Sequence, residues 1–487
     1  MFNAASAVKL YPNKRSEAMF YLNTLLSSVF FSITGVACSD GSTFFPCLIR
    51  ELGASGETVS LIPIAWCVAA LPSSLMSYVS QRVGRDRELA LAAITVSAVV
   101  MGAASLVIAL ADISLRFKLI LIFAALIIGH LCTTLYFICY FAWLPEVVGA
   151  QRSGRVMSGR LWLWCIARLV ALPVCGHILK LHPEVETFGL MFAAASLLGV
   201  ASALPLAFIP AAPRLHHVKD KPSANPLELL GEVNFRRMMA MVFLVNLACF
   251  LVGGYAVIFV KEYLEFSYDA VGYAFALPGL FMMLTILGWG RLADTYGAKG
   301  VCMIGVCGIA IGPLLFMLNV PGHTTMVWVA MIWGGAINSA YSVAWLPLLY
   351  TLAPKQKRAS AIAAVWFVCA AAGLVTPLAA GLIVRKVGNA ALTIGTWRFG
   401  GLHLLLFGQA VLAGLAIPLC KSIRPPNSVP TRRLMKMFAQ NPLRTLWAAV
   451  YGDILLRSIA RGNAGDTEAP ATDASDENRS QGEIMSH

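Results

Sequence analysis

Gly290-Arg-Leu-Ala-Asp-Thr-Tyr-Gly-Ala-Lys299 stands where one long apolar run ends and the next begins. About 213 residues earlier, Ser77-Tyr-Val-Ser-Gln-Arg-Val-Gly-Arg-Asp86 occupies the same kind of position. Each is a short, polar, glycine-bearing stretch between apolar runs, the composition of a tight connection between two helices. A second echo supports the first: Trp143-Leu144-Pro145 ends one run, Trp345-Leu346-Pro347 lies late in another, and each is followed by a basic cluster. Two echoes at matching points imply an internal duplication of about 200–215 residues.

The runs themselves have membrane length. The chain is 58% hydrophobic and 13% charged, with mean hydropathy +0.74, more apolar surface than one soluble core of this size would bury. Runs of roughly 20 residues cross about 30 Å of hydrocarbon as helices, whereas alternating barrel strands of about 10 residues do not fit them. Spans are expected near 18–48, 58–80, 89–111, 118–145, 157–180, 187–210, 238–262, 270–290, 300–319, 325–350, 359–384 and 399–420. This predicts an all-α integral membrane protein with twelve transmembrane helices. Ser39-Asp40-Gly41-Ser42 interrupts the first span, and the connection around Val387–Trp397 is weakly polar.

The net charge of +13 is arranged for a membrane, not for nucleic acid. Lys9, Lys14 and Arg15 precede the first span, and Arg82, Arg85 and Arg87 follow the second. Arg152, Arg155 and Arg160 follow the fourth, Arg236 and Arg237 close the central loop, and Lys355, Lys357 and Arg358 follow the tenth. The opposite loops carry fewer, so the positive-inside rule puts both termini in the cytoplasm of a multi-pass protein of the cell membrane. Polar residues are spread through the first 17 positions and the first apolar run flows directly into a full span, so no cleavable signal peptide is expected. The 12 cysteines are scattered without a Cys-x-x-Cys pair and read as packing residues, with no metal site.

The expected organisation is a cytoplasmic N-terminus (1–17), a six-helix bundle (18–210), a central cytoplasmic loop (211–237), a second six-helix bundle (238–420), a cytoplasmic amphipathic segment (421–461) and a disordered acidic tail (462–487). Asn441-Pro442 reads as a helix start on the inner leaflet. A thirteenth span there would draw Arg444, Asp453 and Arg457 into lipid.

The decapeptide resembles the cytoplasmic loop motif of the major facilitator superfamily, Gly-x-Leu-Ala-Asp-Arg-x-Gly-Arg-Lys. The match is carried by Gly290, Leu292, Ala293, Asp294, Gly297 and Lys299, with Thr295 and Ala298 departing. The earlier copy keeps Arg82, Gly84 and Arg85 but has Ser77, Gln81 and Asp86 at the other places, so it lacks the aspartate. The resemblance implies two pseudo-symmetric six-helix bundles rocking about a midplane site, with helices one, four, seven and ten lining a cavity and two, five, eight and eleven beside them. It also implies that Asp294 meets the start of the fifth helix and pairs with Arg152, Arg155 or Arg160. A hairpin that merely sets topology is the plainer alternative.

Ionisable groups inside a bilayer cost several kcal/mol unless paired or hydrated, which singles out Arg168, His130 and Asp40. Arg168 suits a bidentate clamp on a carboxylate or phosphate, and equally an ion pair with Asp40. Asp40 is a candidate proton carrier or a plain loop carboxylate. His130 is a candidate for substrate contact and proton relay or a packing histidine. Asn246, Asn338 and Tyr341 offer neutral hydrogen bonds to a polar ligand or between helices. Pro173, Gly176, Pro377 and Gly381 punctuate the fifth and eleventh spans.

The expected function is secondary active transport of a small solute by alternating access, with a small organic anion or other polar metabolite favoured, proton-coupled, by a monomer without cofactor. A drug/proton antiporter, a transporter-like sensor and a lipid scramblase are the alternatives. The drug-antiporter signature is only partial, since Leu172 precedes Pro173 and His177 follows Gly176. A Walker loop, His-Glu-x-x-His and Gly-x-Ser-x-Gly are absent, which argues against an enzyme.

Overall fold

The computed structural model describes residues 14–36, 43–148, 150–209, 229–353, 358–387, 392–394, 397–425 and 431–441. Ten helical stretches among them are long and apolar enough to cross a membrane. They are α6 (Asp86–Leu110), α7 (Leu115–Val148), α8 (Ala150–Leu181), α9 with α10 (Val185–Ala201 and Ala203–Ala207), α11 with α12 (Val233–Val252 and Tyr255–Ile258), α13 (Tyr268–Tyr296), α14 (Ala298–Met317), α15 (Thr325–Leu352), α16 (Arg358–Val387) and α17 (Gly401–Ser422).

The first two expected spans take another form. The first is α1 (Lys14–Thr34), which ends well short of residue 48, and a separate helix, α2 (Phe45–Glu51), follows. Asn23, Thr24, Ser27 and Ser28 make one face of α1 polar, and all four are buried. Thr24 and Thr34 return their hydroxyls to the carbonyls of Phe20 and Phe30 at 2.8 Å, and so need no water. The second span is broken into α3 (Gly56–Val59), α4 (Leu61–Ala70) and α5 (Ser73–Val83), with Pro72 at the joint.

Successive long helices alternate in direction, giving the bundle a near end, where α1 begins, and a far end, where it stops. Within residues 14–207, α1 packs on α8 and α9, α4 on α7, and α6 on α7 and α9. Within residues 233–422 the same pattern recurs: α11 packs on α16 and α17, α13 on α15, and α14 on α15 and α17. Two broad seams join the sets, α8 against α13 and α4 against α16, and these are also each other's counterparts.

Local chemistry corrects several expectations. The decapeptide is mostly helix: α13 runs through Gly290 to Tyr296, and the turn is confined to Gly297, whose φ of +88° suits glycine. In the earlier copy α5 ends at Val83, Gly84 takes φ +64°, and Ser80 Oγ donates to Asp86 Oδ1 at 2.7 Å across the turn. The connection before α17 contains a small antiparallel hairpin, β1 (Leu392–Ile394) with β2 (Trp397–Phe399), an exception to the all-α expectation.

The helix after α17 starts earlier than expected, as α18 (Thr431–Gln440). Its apolar side rests on protein: Leu434 is buried, and the Phe438 ring lies 5.4 Å from that of Trp289. The expected start at Asn441-Pro442 therefore follows a helix, and residues 442–487 lie outside the described residues, as do most of the central loop and Asp40.

Candidate functional site: two seams and a far-end closure

Close backbone approach builds the α8·α13 seam. A Cβ added at Gly176 would lie 2.5 Å from the Tyr268 carbonyl oxygen, and one at Gly272 would lie 2.5 Å from that of Leu172. Further toward the near end the helices part, for a Cβ at Gly279 would sit 3.6 Å from the Cys165 carbonyl, an ordinary contact. The seam is therefore shut at the far end and looser beyond Cys165. On the α4·α16 seam, a Cβ at Gly373 would collide with Cys67 Sγ, and one at Gly381 would press on Ser60.

Polar groups lock the far end. Arg50 on α2 donates to Glu262 from Nε at 2.6 Å and from Nη2 at 3.2 Å. This hydrogen-bonded carboxylate pushes the Arg50 guanidinium further above its ordinary value. Lys180 meets Asp269 at 2.8 Å, and Arg385 lies 3.5 Å from Glu57. Each pair joins residues of the first half of the chain to residues of the second. Tyr268 is the hub: it is buried, donates to the Glu51 carboxylate, stacks edge-on with Phe188, and has the Lys261 ammonium 4.0 Å from its ring centre. A π-helical turn at Phe259–Tyr263 aims Lys261 and Glu262 into this cluster. Half-exposed ion pairs contribute about 1 kcal/mol or less each, so the interlocked backbones and Tyr268 dominate the closure.

Arg168 sits one helical turn to the near side of Leu172, where the α8·α13 seam begins to open. The exposed stripe of α8, Ile166, Val170, Val174 and Ile178, lies on the other side of the helix. Its Nε is buried without a hydrogen-bond partner, and its guanidinium carbon lies 5.6 Å from the centre of the Trp164 ring. An arginine so held leaves its Nε open to an added acceptor.

The other expected site residues divide between the halves. His130 is buried in the first half, beside Gly129 and against the backbone of Val36, just past the end of α1. Asn246 on α11 is half-buried and donates back to the Val242 carbonyl at 2.8 Å. Asn338 is exposed on α15, and Tyr341, one turn later, is half-buried with its backbone against Gly305. Asp40 lies outside the described residues.

At the near end Asp294 is exposed and forms no ion pair among the described residues. Arg82 and Arg85 are also exposed, and nothing crowds Gly84, Gly290 or Gly297. Lys299 donates to the Lys421 carbonyl at 2.9 Å, tying α14 to the end of α17. Arg152 and Arg155 lie on α8, with side chains outside the described residues. Arg160, expected beside them in the loop region, is instead buried: Nε donates to Thr24 Oγ1 at 2.8 Å, and the guanidinium carbon lies 3.9 Å from the centre of the Tyr140 ring. Beside it Tyr136 donates to Asn23 Oδ1 at 2.9 Å.

Sequence reading missed the far-end cluster, because single charges near span ends look like ordinary loop residues. It also missed the meeting of Trp66, Phe250 and Trp366 at the α4·α16 seam. The polar face of α1 was the available signal for the buried role of Arg160.

Residues 238–462 match the sequence model of the Major Facilitator Superfamily. The fold is similar to that of a mutant form of the nucleoside transporter NupG, with TM-score 0.62 and 15% identity over 83% of this chain and 98% of that one. It is similar to that of a D-xylose-proton symporter, with TM-score 0.61 and 18% identity over 86% and 98%. It also resembles the xylose transporter XylE from E. coli in a partially occluded inward open conformation, with TM-score 0.59 and 17% identity over 85% and 99%. No curated protein matches the chain. With ten membrane-length helices among the described residues and a match to the Major Facilitator Superfamily model confined to residues 238–462, this is a multi-pass membrane protein whose second half resembles that superfamily in sequence and whose fold is similar to that of these transporters.

Proposed function

We propose that the protein is a secondary active transporter that carries a small organic anion by alternating access between two six-helix halves, 18–210 and 238–420. In this reading α1 and the broken α3–α5 stretch complete twelve spans, the near end is cytoplasmic together with both termini, and the far end is the closed outer gate. The membrane is the cell membrane and the working unit a monomer. The observation that carries the anion is Arg168, half-buried with an unpartnered Nε where a cross-half seam starts to open. Rocking that closes the near end would bring Asp294 to the start of α8, where Arg152 and Arg155 lie. Gly290, Gly297, Lys299, Arg82, Gly84 and Arg85 shape the turns that make that approach. Asp40 and His130 serve proton coupling, and Asn246, Asn338 and Tyr341 supply neutral contacts to substrate.

Flux into proteoliposomes tests the reading. Purified protein should accumulate one of a panel of labelled organic anions, faster with an imposed pH gradient, and Arg168→Gln should abolish the preference for anions over neutral analogues. Binding without flux would replace transport with sensing.

A further inference from the structure

Trp66 on α4 and Trp366 on α16 approach across the seam with ring centroids 6.0 Å apart, and Phe250 on α11 lies 5.7 Å from Trp66. Trp143 and Trp289 are buried, at 2% and 0% exposure. Trp366 is 44% exposed. Its exposure is not part of the apolar stripe of α16, for Phe367, Val375, Leu378 and Leu382 centre about 140° away around the helix. Cys249 gives a second sign of an internal opening: it is exposed on α11, while every other residue from Met238 to Val252 is buried or half-buried. Asn246 lies one turn from Phe250 on the same side of α11. The corner thus combines two indoles, a phenyl ring and an amide, with no charged side chain among them.

Flat aromatic faces select ring-shaped ligands, because a rigid ring stacks with little loss of conformational freedom while a flexible chain must be ordered. We propose that this corner binds the ring of a small cyclic solute, with Trp366 and Trp66 as the specificity-determining residues. The ring site rests on the transport reading above, with the charge of the solute read separately at Arg168. Because Trp66 and Trp366 come from opposite halves, separation of the seam would dismantle the ring site and release the ligand.

Equilibrium binding of labelled benzoate, hexanoate and benzyl alcohol to the full-length protein in proteoliposomes tests this. The wild type should prefer benzoate to hexanoate by about two- to tenfold, the range expected of one aromatic contact. Trp366→Leu should remove that preference, and Trp366→Phe, which keeps a ring, should retain most of it. No preference in the wild type, or an undiminished one in Trp366→Leu, overturns the proposal. The benzoate to benzyl alcohol ratio reports on Arg168 separately. Its absence in the wild type would remove the anion reading, whereas the benzoate to hexanoate ratio decides the ring site.

Discussion

Arg50 and Glu262, 212 positions apart in the chain, meet through two hydrogen bonds at the far end of the bundle, one half of the molecule supplying each partner. The fork geometry suits a guanidinium and a carboxylate, and it gives the pair directional specificity beyond its charge. With side chains 35% and 40% exposed, solvent screens the attraction. The pair therefore orients a closure whose strength lies in the packing beneath it.

Glu262→Gln should increase the population open at the far end by no more than about fivefold, consistent with about 1 kcal/mol. Spin-label distances across that end would report it, and high salt should move the wild type in the same direction. The charge exchange Arg50→Glu with Glu262→Arg should return the distances toward wild type. Identical distances in Glu262→Gln and wild type would remove the pair from the gate.

Gly176→Ala and Gly272→Ala place a methyl group against a carbonyl oxygen of the facing helix. No side chain can rotate away, so overpacking should cost about 1–3 kcal/mol despite the gain in helix propensity. Thermal melting of the purified protein should fall for both, and far-end closure should weaken. A rise in melting temperature with closure intact would show that the seam yields easily.

Gly373→Ala meets a different obstacle, the sulfur of Cys67. Here a second substitution can make room, so Cys67→Ala should recover much of the stability and flux lost in Gly373→Ala. The same melting assay distinguishes this rescue from additive damage.

Asp294→Asn should slow transport turnover while leaving equilibrium binding of the transported solute within about twofold. The expectation follows from its exposure while the far end is shut, with no ion pair among the described residues. Exchanging Asp294 and Arg155 should recover flux lost in either single variant if the two pair when the near end closes. Failure of the exchange would leave Arg152 or a topological role.

Membrane residence was legible in composition alone, because about 20 successive apolar residues have few other stable uses. Ten of the expected spans appear as long helices, shifted at their ends. Local polarity obscured the other two: α1 satisfies its serines, threonines and asparagine internally, and Pro72 divides the second stretch. The loop motif resembled that of the family whose model matches residues 238–462, yet concealed that Gly290 is helical, since glycine permits a turn without imposing one.

The candidate site was legible one residue at a time. Arg168 stood out because an arginine in an apolar run is costly, but sequence could not say whether its donors were already satisfied. Arg160 read as a loop charge and candidate partner of Asp294, and proved to be part of a buried polar core with Thr24 and Tyr140. The difference lies in partners contributed by distant helices.

By itself the sequence determined the environment, the predominantly helical character and the duplicated plan, because these depend on local composition, run length and repetition. Tertiary structure alone decided which end of the bundle is shut, which buried arginine lacks an acceptor, and that Trp66 meets Trp366. Those properties arise from contacts between residues hundreds of positions apart, where atomic separation, not local pattern, sets the energy.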